Sequence, residues 1–310
     1  MNLTILICSH DRAALLEKTL ISLNAAKCPV MPVEILVVAN ACSDNTIERM
    51  RAYQEQQGAQ NWIPLQFLEV STPGKSHALN NAIPRIVNGL IAFVDDDHRV
   101  NENYLIAIEH AAAAWPDASM FCGRILPDWD GTEPSWVHDK GPYRIYPLPI
   151  PRYDQGQSAK TITLEGPLPG GGNLIIHRDV FTRTGEFSTT MGPHGHDLGG
   201  GEDSDFVQRA LIGGEHLQYS PDILQYHFVD PNRLRLIYIL RKGFQRSRSH
   251  IRVRSVSHKR IPRYMWRKLI TNFLLTACSW RWARMRFYLS RLASTLGEIQ
   301  GMLDQQGERK

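Results

Sequence analysis

Ile91-Ala92-Phe93-Val94-Asp95-Asp96-Asp97-His98 is the stretch on which the reading of this 310-residue chain turns. The four apolar residues have the character of a buried parallel strand, and three carboxylates follow at its C-terminal tip. Adjacent carboxylates repel one another, so keeping several ionised at one strand end calls for a compensating cation. In an open α/β sheet that end is also where ligands bind. A divalent metal carrying a phosphorylated substrate meets both demands, because hard cations take oxygen ligands and Mg²⁺ commonly keeps substrate phosphates in its shell. The competing reading is a solvated acidic turn that caps a helix. The rest of the chain decides between them.

Upstream, strand-like and helix-like segments alternate. Leu3–Cys8 is a short apolar strand, and Leu15, Leu16, Thr19, Leu20 and Leu23 then recur at helical spacing. Glu34–Val38 reads as a second strand, Asn40–Asp44 as a turn, Thr46–Gln56 as a helix and Leu65–Val70 as a third strand. Lys75–Ile86 reads as a helix, and Leu90–Val94 is the strand that delivers the carboxylates. This alternation predicts an α/β fold with a doubly wound, mostly parallel sheet and right-handed crossovers. Downstream, residues 126–169 are proline-rich, carry Trp129 and Trp136, and read as one long ordered loop or lid. A strand resumes in Gly170–His177, a Gly- and His-rich loop occupies Gly192–Gly201, and Glu202-Asp203-Ser204-Asp205 opens a helix with an acidic first turn.

A hydrophobic content of 43% with 21% charged residues is ordinary for a folded globular protein. The five cysteines (Cys8, Cys28, Cys42, Cys122, Cys278) are scattered and lack metal spacing, so they read as reduced core thiols in a cytoplasmic protein. The first residues lack the basic region of a signal peptide, and no segment reaches the roughly 18 apolar residues that span a bilayer. The net charge of +4 hides a strong asymmetry: residues 233–310 hold 19 Lys/Arg against 3 Asp/Glu, with no acidic residue between Arg233 and Arg291. Such a split marks two regions, expected at 1–230 and at 231–310, the second basic, aromatic and helical.

Five ordered motifs carry a resemblance. They are Cys8-Ser9-His10-Asp11-Arg12, Val37-Val38-Ala39-Asn40-Ala41-Cys42-Ser43-Asp44, Gly74-Lys75-Ser76-His77-Ala78-Leu79-Asn80, Asp95-Asp96-Asp97 and Gly200-Gly201-Glu202-Asp203-Ser204-Asp205. Together the segments resemble the family 2 glycosyltransferases, whose nucleotide-sugar-binding fold is called GT-A, over about residues 3–245. The resemblance implies a metal-dependent, inverting transferase of the hexosyltransferase type. It would move one sugar from a nucleoside-diphosphate sugar onto a glycan or lipid-linked acceptor, as cell-surface polysaccharide or glycolipid synthesis requires.

The same resemblance implies a role for each motif. Ser9 and Arg12 lie after the first strand, where backbone N–H groups and a guanidinium meet the nucleotide. Many relatives have an Asp at the position of Ala39, which leaves Asn40 or Asp44 to hold the base. Lys75 is a point charge toward the diphosphate, and Asn80 ties its helix to a neighbouring loop. Asp95 and Asp96 belong to the donor site, Asp97 binds Mg²⁺ or Mn²⁺, and His227 completes the metal or diphosphate site. His98 is read as turned away, by strand alternation from Asp97. Gly171, Gly172 and Asn173 let the backbone approach the donor sugar. Asp203 is the general base, with Glu202 orienting the acceptor or the loop.

In the basic C-terminal region, Arg241, Lys242 and Arg246 correspond to an Arg-rich stretch near the donor phosphates in relatives. Residues 233–291 interleave cations with Trp, Phe and Tyr, which suits peripheral contact with the inner face of the cell membrane. Nucleic acid is not expected as a partner. A nucleotidyltransferase, or a sugar- or nucleotide-binding module without chemistry, is the alternative. The nucleotidyltransferase would carry a Gly-rich, cationic loop after the first strand, and Ser9-His10-Asp11-Arg12 is not one.

Overall fold

In β1 (Leu3–Ser9), Leu3, Ile5 and Ile7 enter one apolar cluster while Leu6 enters another. A strand buried on both faces has no polar side to offer water, which is why its sequence is a continuous apolar run. The first cluster is completed by α1 (Ala13–Asn24) and α2 (Thr46–Gln56), through Leu16, Leu20, Leu23, Met50 and Tyr53. On the other face lies α3 (Lys75–Ala82), through Ala78, Leu79 and Ala82. Between them run β2 (Val33–Asn40), β3 (Leu65–Val70) and β4 (Leu90–Phe93), all parallel to β1 in the order β3-β2-β1-β4. The helix expected to reach Ile86 stops at Ala82 and tightens to a 3₁₀ turn over Ile83–Arg85. Pro84 explains the stop: it lacks the amide donor an α-helix needs.

The computed structural model describes residues 1–189, 201–253 and 261–307. After β4 the elements are β5 (His98–Val100), α4 (Tyr104–Ala114), β6 (Met120–Asp128), β7 (Lys160–Ile162), β8 (Leu174–His177), α5 (Arg178–Thr184), α6 (Glu202–Ile212) and β9 (Leu217–Phe228). The sheet continues β4-β8-β6-β9-β5, with β7 also on β9. This half is mixed: β8 is antiparallel to both β4 and β6, β6 and β9 are parallel, and β5 and β7 run antiparallel to β9. The register of β6 on β9 shifts between Cys122 and Arg124. Gly123 sits at that shift, where a Cβ would lie 1.8 Å from the Ile223 carbonyl oxygen, so only glycine lets the strands approach.

The chain forms two compact units, Met1–Asp128 with Pro151–Phe228, and Trp129–Ile150 with Val229–Lys310. The second contains α7 (Leu236–Val253), α8 (Arg263–Ala277) and α9 (Trp282–Gly307). Close approach of α7 to α9 depends on glycine, since a Cβ on Gly297 would meet the Phe244 carbonyl oxygen at 2.1 Å. The single lid expected over 126–169 is divided between the units. Residues 129–150 have partners on α9: Asp139 accepts from Arg286 at 3.2 Å, the Arg286 guanidinium stacks on Trp136, and Tyr143 meets Phe287 and Tyr288. The cysteines are all free, yet Cys28 and Cys278 are exposed, so the core reading describes Cys122 and not these two. Among the described residues, no helix is long and apolar enough to cross a membrane.

Candidate active site

Strand β4 ends at Phe93, and Asp95–Asp97 form the turn that leads into β5, closed by the His98 amide on the Asp95 carbonyl at 3.1 Å. The three carboxylates therefore diverge. Asp96 points inward, where it accepts from Ser9 Oγ at 2.7 Å and from Arg12 Nη1 at 3.1 Å. Burial pushes its carboxyl up to about 6, the negative charge of Asp97 adding to the rise, against the opposing pull of Arg12. The same Arg12 nitrogen lies 3.1 Å from Asp97 Oδ2, so one guanidinium serves two acids. Ser9 and Asp96 are thus buried on each other.

Asp97 faces two imidazoles. His227 Nε2 lies 3.6 Å from Asp97 Oδ2, and His98 Nε2 lies 3.9 Å from Asp97 Oδ1 and 3.9 Å from Asp95 Oδ2. The reading of His98 as turned away is corrected here. Period-two alternation does not pass through a turn, and the register of β5 on β9 sets His98 directly opposite His227, on one face of the sheet. The second histidine also has an assignable tautomer. The Arg124 and Ile223 carbonyls accept from Asn173 Nδ2, so Asn173 Oδ1 is an acceptor, and it takes the Gln225 amide at 3.0 Å. That leaves Gln225 Oε1 to accept from His98 Nδ1–H and directs Nε2 at the carboxylates. His227 Nδ1 is likewise held by the Phe228 carbonyl.

Two imidazole Nε2 atoms and a carboxylate converge, an arrangement a cation completes. Asp97, His98 and His227 offer ligand atoms that all lie within 4.8 Å of one another. These residues fit a divalent metal. Imidazole donors suit Mn²⁺ better than Mg²⁺, which prefers oxygen throughout. Burial lowers the His227 pKa, against the opposing charge of Asp97, which keeps the ring in the neutral form that ligates.

Lys75 starts α3 and reaches two acids at once: Nζ is 2.8 Å from Asp95 Oδ1 and 3.9 Å from Asp203 Oδ2. Burial works against its charge, but Asp203 and Asp95 outweigh burial and hold the ammonium well above its ordinary pKa. Burial would likewise raise Asp95, and Lys75 reverses that, leaving the carboxyl below the usual range. The loop before Lys75 is organised by Asn40, whose amide donates to the Val70 and Thr72 carbonyls and accepts from the Gly74 amide at 2.8 Å. Asn80 binds the Phe187 backbone through both ends of its amide, tying helix to loop as expected. Asp44 caps locally, accepting from the Ala13 and Thr46 amides.

Asp203 and Glu202 lie in the first turn of α6, where the helix dipole favours negative charge. Asp203 Oδ2 accepts from the Gly171 amide at 2.8 Å, while Oδ1 is buried and has no donor among the described residues. Leaving such an oxygen unpaired costs about 1–3 kcal/mol, so its orientation is held by its surroundings. Glu202 is buried beside it, and burial, followed by the charge of Asp203, raises its carboxyl. Gly171 and Gly172 pass between the two halves: a Cβ on Gly171 would sit 2.3 Å from Asp203 Oδ1, and one on Gly172 2.5 Å from Asp95 Oδ2. Gly171 has no left-handed φ, so alanine there would disturb the carboxylate and not the backbone. Gly171→Ala is therefore expected to lower kcat for transfer by about 10²-fold, the scale of a small displacement at a reacting group, with the melting temperature little changed. Steady-state kinetics alongside a thermal melt checks this.

The fold thus brings together Ser9, Arg12, Asn40, Lys75, Asp95, Asp96, Asp97, Gly172, Asn173, Glu202, Asp203 and His227 within one unit. Asn173 is buried in the relay to His98. Arg241 is on α7 of the other unit and is exposed there. His194 and His196 lie outside the described residues. His98, Gln225 and Tyr104, whose hydroxyl accepts from Gln225 at 2.7 Å, are additions that motif reading missed. Gln225 and His227, two apart on one strand and so on one face, were the available signal.

Strand-end carboxylates, paired imidazoles and a second carboxylate on a helix N-terminus lie together in one α/β unit. The chain belongs to glycosyl transferase family 2, whose model matches residues 4–185, and it is a glycosyltransferase. This sets aside the nucleotidyltransferase and the module without chemistry. It is similar to the succinoglycan biosynthesis protein ExoM of Rhizobium meliloti (strain 1021), 25% identical over 257 residues, 82% of this chain and 75% of that protein. Among solved structures, S. aureus TarS 1-349 in complex with UDP aligns with a TM-score of 0.55 at 15% identity, covering 98% of this chain and 92% of that one. The mannosyltransferase PcManGT from Pyrobaculum calidifontis, in complex with GDP-Man and Mn²⁺, aligns at 0.57 and 14% identity over 100% and 88%. At these identities the two structures speak to the fold, which is GT-A.

Proposed function

We propose that this chain transfers one sugar, with inversion, from a nucleoside-diphosphate sugar to a hydroxyl of a glycan or lipid-linked acceptor. The observation that carries the reading is Asp203: a carboxylate oriented by the Gly171 amide and Lys75, with Oδ1 free of donors among the described residues. As the acceptor oxygen attacks the anomeric carbon, Asp203 takes its proton, and the bond from that carbon to the diphosphate oxygen breaks. Lys75 holds Asp95 and Asp203 in fixed relation, and Glu202 shapes the acceptor side. Asp97, His227 and His98 would hold Mn²⁺ or Mg²⁺, which supplies positive charge to the departing nucleoside diphosphate. Arg12 is placed to meet the nucleotide beside Asp97.

Similar structures support a donor of this kind: TarS 1-349 is in complex with UDP in one and UDP-GlcNAc in another, and PcManGT is in complex with GDP-Man and Mn²⁺. ExoM, by its name, serves synthesis of a polysaccharide, the process we assign here. We place the chemistry in residues 1–230 and a peripheral contact with the inner membrane face in 231–310, through the cationic and aromatic stretch 233–291. A thermal-melt screen of nucleoside diphosphates and their sugars tests the donor. One of them with Mn²⁺ is expected to raise Tm, by the equivalent of about 2.7 kcal/mol at a hundredfold excess over Kd, and EDTA to abolish the rise. Tm unmoved by every nucleotide sugar, with no nucleoside diphosphate released from any, would overturn the reading.

A further inference from the structure

Helix α8 turns polar as well as apolar residues inward. Asn272 donates to Thr295 Oγ1 on α9 at 3.2 Å, and Lys268 Nζ donates to both Glu298 oxygens at 2.8 Å. Met265 joins Ile299 and Met302 in a small apolar cluster, with Leu269 packed against it. The outward side carries Trp266, Ile270, Phe273 and Leu274, each between 47% and 59% exposed. At about 100° per residue these four fall in one stripe along the helix. A helix that faces water shows the opposite arrangement. The stripe continues past the helix end with Trp280, fully exposed, and Trp282. Single exposed apolar residues need no explanation, whereas a contiguous aromatic stripe marks a contact surface.

Charge selects the partner. Arg263, Arg267 and Arg281 flank the stripe and are exposed, and no acidic residue lies between Arg233 and Arg291. A symmetric contact with a second copy would set these cations against their own images with no acid to offset them. A nucleic acid would use the rings for stacking but would gain nothing from Ile270 and Leu274. An anionic lipid surface uses every part: phosphates for the arginines, the headgroup boundary for tryptophan and acyl chains for the aliphatic residues.

We propose that α8, with the turn to Trp282, lies flat on an anionic lipid surface as an in-plane anchor. This deepens and rests on the membrane contact proposed above, and it commits that contact to one helix face. The test is co-sedimentation of the full chain with vesicles of phosphatidylglycerol and phosphatidylcholine, compared with phosphatidylcholine alone. Binding to the anionic vesicles is expected, with a blue shift of tryptophan emission and weakening as salt rises. Ile270→Asp with Phe273→Asp should raise the vesicle Kd at least tenfold, and Trp266→Ser should weaken it independently. Ile237→Asp, which alters an exposed apolar residue on α7, should leave it unchanged. If Ile237→Asp abolishes binding and the α8 changes do not, the assignment to α8 is overturned while membrane contact stands. No binding by the unaltered chain, or preference for a single-stranded oligonucleotide, overturns both. A dimer that the α8 changes dissolve, without vesicle binding, does the same. Melting with nucleotide sugar, unmoved by any of these variants, reports on the transferase reading separately.

Discussion

Asp203→Asn is expected to lower kcat for sugar transfer by about 10³-fold while nucleoside diphosphate binding stays within a few-fold of the unaltered chain. Asparagine matches the shape of the carboxylate and can still accept from the Gly171 amide, so the first turn of α6 has no steric reason to move. What it loses is the ability to take a proton. A loss of 10³ corresponds to about 4 kcal/mol in the barrier. The alternative role for an acid here is to complement the helix dipole, which is worth only about 0.3–1 kcal/mol and acts on stability. Steady-state kinetics and a binding titration on the same variant therefore separate the two: intact kcat with a slightly lower Tm would remove Asp203 from the chemistry.

Asp97→Ala is expected to weaken Mn²⁺ binding by about 100-fold or more and to cancel the metal-dependent rise in Tm produced by a nucleoside diphosphate. His227→Ala should act in the same direction. Gln225→Leu, which touches no metal, should weaken the metal by about 10–100-fold, because it frees the His98 ring from the partner that sets its tautomer. Removing Asp97 also relieves repulsion among adjacent acids, and Arg12 keeps Asp96 as a partner. The metal-free variant should therefore melt no lower than the parent, which separates ligand loss from unfolding. Titration calorimetry with Mn²⁺, and melting with and without EDTA, supply the readings. Mn²⁺ affinity unaffected by both Asp97→Ala and His227→Ala would place the metal elsewhere.

Much of the first half of the fold was legible because its signals are local. Continuous apolar runs mark strands buried on both faces, and the leucines of α1 repeat at the helical period. The second half was less legible because its strands pair out of chain order: β8 inserts between β4 and β6, and β9 lies between β6 and β5. No local pattern announces such neighbours. His98 shows the consequence for the site. Its orientation depends on a turn that breaks strand alternation and on the register with β9, more than a hundred residues away. The segment 126–169 divides between the units for a related reason, since the partners of Trp136, Asp139 and Tyr143 lie on α9.

By itself the sequence determined the kind of chemistry: acids at a strand end, a lysine at a helix start and a second acidic pair at another, in the order of one family. These are features of composition at fixed spacing, which a chain carries before it folds. Tertiary structure alone decided which groups meet. It set Lys75 between Asp95 and Asp203, aimed two imidazole nitrogens at Asp97, and turned the apolar side of α8 outward. Those outcomes depend on strand register, on close approach at glycine and on which helix face finds a partner, and each is a property of elements distant in sequence. The run Asp95-Asp96-Asp97 announced a cation; the fold divided the three, one to Lys75, one to Ser9 and Arg12, and one to the histidines.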